Sequence, residues 1–130
     1  MKLIVAIAST AVLSAGTAYA DCSYPTPPDH LPDGNTATLQ EMVAAQKAVK
    51  DYDKAINAYV ACIQLERNDA MGKIAKPGEK PTPDQKKAMD DMERVEVQKH
   101  NAAIDQLQSV ADRFNEQVKV YKAKNDKSKG

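Results

Sequence analysis

Two long stretches of this chain repeat apolar side chains at helical spacing, and proline-rich segments precede and separate them. In the first stretch Met42, Val49, Ile56 and Ile63 recur every seven residues, with Ala45, Tyr52 and Tyr59 between them and Ala48, Ala55 and Cys62 along one flank. Steps of three and four bring these side chains to one side of an α-helix, as a wide face rather than a narrow seam. Thr38-Leu39-Gln40-Glu41 is a capping box: the Thr38 hydroxyl accepts from the third helical N–H and Glu41 reaches back. A helix over about 39–68 is therefore predicted.

The second stretch carries Val97, His100, Ile104, Leu107, Val110 and Ala111, Phe114, Val118 and Tyr121, with Met89 and Glu93 extending the stripe weakly toward its start. Thr82-Pro83-Asp84-Gln85 is a second capping box, with proline at the first helical position and an acid in the first turn. It predicts a helix over about 83–123. Gly72, Pro77-Gly78 and Pro81 mark a linker over about 72–82; Ala70, Met71, Ile74 and Ala75 leave the end of the first helix open. Beyond 124, lysines suit the negative end of a helix, and residues 125–130 read as a basic disordered tail.

Residues 21–37 hold Pro25, Pro27, Pro28, Pro32 and Asp33-Gly34, which exclude a helix and favour extended polyproline-type chain ending in a turn. The predicted fold is all-α: one antiparallel two-helix hairpin over 38–124 behind a proline-rich strip. A two-helix hairpin leaves much of a wide apolar face uncovered. Either the strip covers it or two hairpins pair into a four-helix bundle.

The start of the chain changes the reading of its cysteines. Met1-Lys2 is basic, Leu3 to Leu13 is an apolar run, and Ala18-Tyr19-Ala20 is a small-x-small site before Asp21. Residues 1–20 read as a cleaved signal peptide, which implies a periplasmic protein. Asp21 and Tyr19 occupy positions where lipid attachment to Cys22 needs other residues, so no stable membrane anchor is expected. An even pair of cysteines in an exported protein favours a disulfide, Cys22–Cys62, over a metal site. From Thr38 to Cys62 is about 36 Å of helix, and from Cys22 to Thr38 is about 50 Å of extended chain. The strip can therefore double back along the first helix, with Tyr24 and Leu31 as its packing contacts.

Lysines and arginines number 18 against 18 acids, which argues against nucleic acid as a partner. No phosphate loop, nucleophile elbow, His-Glu-x-x-His or haem-attachment motif is present, so no enzyme and no cofactor is expected. His100 could titrate or ligate a metal, but a histidine inside an apolar stripe more often lies at a helix interface. Met89, Met92 and His100, with Met42, could form a soft copper site; methionines at helical spacing more often fill a core. Asp90, Asp91, Glu93 and Glu96 read as a solvated face interleaved with bases. Tyr52 and Tyr59 could wall a ligand site or pack against Phe114 and Tyr121.

Pro32-Asp33-Gly34, Ala37-Thr38, Glu41-Met42, Ala45-Gln46, Val49-Lys50-Asp51-Tyr52, Tyr59 and Cys62-Ile63 together resemble a pattern of small uncharacterised exported proteins of Gram-negative bacteria. The resemblance covers about residues 22–66 and implies a strip, a helix and a disulfide without implying an activity. The expected function is non-enzymatic binding of another envelope or secreted protein, or of a second copy as a homodimer. The candidate binding face is Met42, Tyr52, Tyr59, His100, Phe114 and Tyr121. The alternative is a small-ligand, copper or haem carrier built on the same region.

Overall fold

The computed structural model describes residues 22–128; residues 1–21, Lys129 and Gly130, and with them the signal peptide expected over 1–20, lie outside them. Two helices account for most of this stretch: α1, Leu39–Ile74, and α2, Pro83–Lys127. Both begin where a threonine caps them. The Thr38 hydroxyl accepts from the Glu41 N–H at 3.2 Å, and the Glu41 carboxylate accepts from the Thr38 N–H at 2.7 Å. Thr82 and Gln85 make the same reciprocal pair at 3.2 and 2.9 Å.

Both helices run further than their sequence patterns indicate. α1 continues six residues beyond 68, through the exposed Gly72, because Ala70 and Ile74 extend the inward stripe begun by Ile63. It stops at Ala75, in extended conformation two residues before Pro77, where proline can no longer continue a helix. The linker is thus 75–82 rather than 72–82. Pro77-Gly78 makes its turn, with the Glu79 N–H donating to the Lys76 carbonyl at 3.1 Å and Gly78 at φ +89°, the arrangement of a type II turn. α2 carries on through Lys127, so residues 125–127 are helix and not a disordered tail. Asn125 supports that last turn by donating its amide to the Tyr121 carbonyl at 2.9 Å.

The helices form an antiparallel hairpin, with Gln85 beside Ile74 at the linker end and Phe114 beside Met42 and Ala45 near the other. The core has two parts. Tyr52, Ile56, Tyr59, Ile63, Ala103 and Val110 form the middle cluster. Ala37, Met42, Ala45 and Phe114 form the lower one, with Leu31, Val118 and Tyr121 packed against it. One stripe position was displaced: Val97 is 45 % exposed, whereas Ala103, absent from the predicted stripe, is fully buried. Six residues of helix put Val97 about 120° round α2 from Ala103, and the inward line toward the linker runs through Met92 and Glu96 instead.

The strip is the third layer. The Cys22–Cys62 disulfide pins its start to α1, with Cα atoms 5.8 Å apart. The Cys22 N–H also donates to the Glu66 carboxylate at 2.9 Å. Tyr24 meets Tyr59 edge-on at 5.1 Å, and Leu31 joins the lower cluster. The strip ends in a turn in which the Asp33 carbonyl accepts from Thr36 and Ala37 and the Asp33 carboxylate accepts from the Asn35 N–H. At this turn the Gly34 N–H donates to Gln117 on α2 at 2.8 Å. The strip therefore lies along one side of the hairpin, tied to α1 at one end and to α2 at the other. Among the described residues no helix is long and apolar enough to cross a membrane.

Candidate functional site

The strip leaves the linker end of its own side of the hairpin open. Past Cys22 the two helices flank a groove of about 510 Å³. Ile63 and Ala70 of α1 and Ala88, Met92 and Val95 of α2 line its apolar part; Glu66, Arg67, Asp91, Glu96 and Lys99 make the rim. Ala70 and Ala88 both line the groove, and two methyl side chains cannot fill the space that Tyr52, Tyr59 and Phe114 fill lower in the hairpin. Val95 is 42 % exposed there.

The rim is mostly self-paired. Arg67 lies 3.9 Å from Glu96 across the two helices, with both side chains largely covered, and it donates to Asn68 at 3.2 Å. Its Nε is buried with no hydrogen-bond partner. Asp91 accepts from Arg94 at 2.8 Å, and this hydrogen bond holds its carboxyl below the usual carboxylate range. Glu66 is engaged by Cys22. Lys99 has no ion pair among the described residues. Such a site can hold apolar surface through its floor and orient it through one free cation.

The predicted binding face is not this site. Met42, Tyr52, Tyr59 and Phe114 are buried in the core, so the face proposed from them is corrected to packing. Burying these aromatic and thioether groups under the strip and against the partner helix removes more apolar surface from water than exposing them would. Burial, with Tyr24 nearby, pushes the Tyr52 and Tyr59 phenols up from 10.0. Tyr121 is half-buried against the lower cluster. His100 is half-buried, its Nδ1 3.3 Å from the Asn101 side-chain oxygen. Met42 packs beside Phe114, and His100 lies 14 residues back along α2, about 21 Å of helix. The two do not converge. The one close group of potential metal ligands among the described residues is Cys22, Cys62 and Glu66. Its sulfurs are joined to each other, so it serves as the strip's anchor.

A second, more polar depression of about 390 Å³ lies where residues 28–33 of the strip approach Arg113, Glu116 and Gln117. Sequence reasoning passed over Ala88 and Val95, read Ala70 only as part of an open helix end, and weighed Met92 only as a copper ligand or core filling. A signal was available: Ala88, Met92 and Lys99 share a helix face with Arg113 and Gln117, the side of α2 that the strip reaches. No protein-family model matches the chain, and neither a curated protein nor a solved structure matches it.

Proposed function

We propose that this is a non-enzymatic binding protein of the bacterial envelope, working in the periplasm after removal of residues 1–20. It acts as an adaptor, a chaperone-like holder or an inhibitor of another exported protein. The observation that carries this reading is the uncovered groove between Ile63 and Ala70 on one side and Ala88, Met92 and Val95 on the other. Monomeric domains leave few contiguous apolar recesses open without a use for them. The leader and the Cys22–Cys62 staple support the compartment.

The test is affinity capture from an envelope extract with the mature, disulfide-bonded protein, beside a Val95→Glu variant and a Val97→Glu control. One partner, retained by wild type and by Val97→Glu but lost from Val95→Glu, is the expected result. Recovery of no partner, or equal recovery by all three proteins, would overturn the reading.

A further inference from the structure

The open groove is one half of a longer track whose other half the chain fills with itself. On α2, Ala88, Met92, Lys99, Arg113 and Gln117 are separated by 4, 7, 14 and 4 residues, all near-multiples of the helical repeat, so they share one face. The strip docks on the later part of that face at Gln117, and Arg113 borders the depression beside it. The groove occupies the earlier part, at Ala88, Met92 and Lys99. On α1, Glu66 belongs to both: it accepts from the strip's Cys22 and walls the groove.

The strip also shows what kind of chain this track accepts. Residues 22–34 form no helix or strand, and they reach the helices by side chains and by two backbone donors, Cys22 and Gly34. We infer that the groove beyond Cys22 receives an extended apolar segment of a partner protein, lying end to end with the strip, with an acidic residue of that segment beside Lys99. This rests on the binding function proposed above and specifies the conformation, length and charge of what is bound. From Lys99 to Ala88 is about 16 Å of helix, and from Cys62 to Ala70 about 12 Å. At about 3.1 Å per residue the groove takes four or five residues. A helix is about 10–12 Å across, wider than the single chain for which the rest of the track is shaped. The charge choice follows from the rim, where Asp91 and Glu96 are paired to Arg94 and Arg67 and Lys99 is the free cation.

The experiment uses the mature chain with its disulfide intact and two probes. The first is a pool of capped pentapeptides of valine, leucine, isoleucine and alanine with a fixed aspartate at either end. The second is a twelve-residue peptide of the same composition locked helical by α-methylated residues. Amide NMR shifts locate the binding. The expected result is saturable shifts at Ala70, Ala88 and Val95 with the pentapeptide pool. Affinity should fall at least tenfold in Val95→Glu and three- to tenfold in Lys99→Ala, and stay unchanged in Val97→Glu. Groove shifts with the helical probe alone would overturn the extended-chain inference and leave the binding function standing. So would a dimer that Val95→Glu converts to monomer. No shift with either probe at millimolar concentration also overturns it; the capture experiment then decides the broader reading separately.

Discussion

Gly34 and Gln117 meet so closely that the strip and the second helix share a backbone-to-backbone contact. The Gly34 N–H donates to the Gln117 side-chain oxygen at 2.8 Å. A Cβ on Gly34 would lie 2.2 Å from the Gln117 carbonyl oxygen, 2.8 Å from the Tyr121 nitrogen and 2.9 Å from the Val120 Cβ. The glycine is required for this approach and not for its φ, which is not positive. Gly34→Ala should lift the turn off α2 and destabilise the protein by about 1–3 kcal/mol, the range for overpacking. Gln117→Ala, which deletes only the acceptor, should cost about 1 kcal/mol. Urea denaturation checks both, and equal losses would contradict the steric account.

The other end of the strip is held covalently. Cys22 and Cys62 close a loop of 40 residues, for which the chain-entropy estimate gives about 4 kcal/mol. The double variant Cys22→Ser/Cys62→Ser should lose up to that amount. It should also lose near-ultraviolet dichroism, because a strip released from α1 would take Tyr24 out of its edge-on contact with Tyr59. Denaturation with and without a dithiol, followed by a non-reducing mass measurement, tests this. Full retention of stability after reduction would show that Glu66, Leu31 and Gly34 hold the strip without the bond.

Both starts of the hairpin were readable because a capping box is a local, four-residue device: Thr38 with Glu41 and Thr82 with Gln85. The staple was readable because the sequence holds only two cysteines, each the other's one possible partner within the chain. Ends were harder. Gly72 looks like a breaker, yet a single glycine costs only about 1 kcal/mol in a helix, and Ala70 and Ile74 continue the buried stripe through it. Val97 looked like core and Ala103 did not, since composition favours valine; the inward line is set by Val110, Phe114 and their partners on α1. The groove was least legible. Periodicity identifies which face of a helix is apolar, but not which flank the strip covers or where it stops.

Gln85 braces the linker from both sides. Its side-chain oxygen accepts from the Thr82 N–H at 2.9 Å, and its amide donates to the Ile74 carbonyl at 2.8 Å. One residue thus caps α2 and satisfies a carbonyl at the end of α1. Gln85→Glu keeps the first bond and turns an acceptor toward the second; Gln85→Ala loses both. Losses of about 1 and 2 kcal/mol are expected, with faster amide exchange at Thr82 in the alanine variant alone. Exchange that accelerates equally in both variants would contradict the division of roles.

Stability should fall at both extremes of pH, for different reasons. Burial, then the neighbouring Tyr24, raises the Tyr52 and Tyr59 phenols above 10.0. The folded state holds their protons more tightly, so this contribution is complete below the unfolded value and is lost as pH rises through the folded values. At the acid end, the Thr38 backbone N–H and then its hydroxyl lower Glu41 from 4.5. That contribution is present above the unfolded value and is lost as pH falls through the folded one. A phenolate absorbance titration should show two tyrosines ionising late, together with unfolding. Ionisation of all tyrosines in a single step near 10.0 would contradict their burial.

Filling the groove from inside separates its structural from its functional worth. Ala70 and Ala88 are half-buried on facing helices, and their methyl groups leave Ile63, Met92 and Val95 bordering open space. Ala70→Leu with Ala88→Leu adds apolar surface where there is room for it, and leucine is nearly as good a helix former as alanine. Burying even half of each new side chain should stabilise the hairpin by about 1–2 kcal/mol. The same side chains occupy the space proposed for the partner segment, so binding of the pentapeptide pool should fall at least tenfold while the melting temperature rises. Stability kept low for the sake of a binding surface is the usual trade. If the double variant melts lower, the space is already closed in solution; if it melts higher and binds as before, the partner segment docks elsewhere.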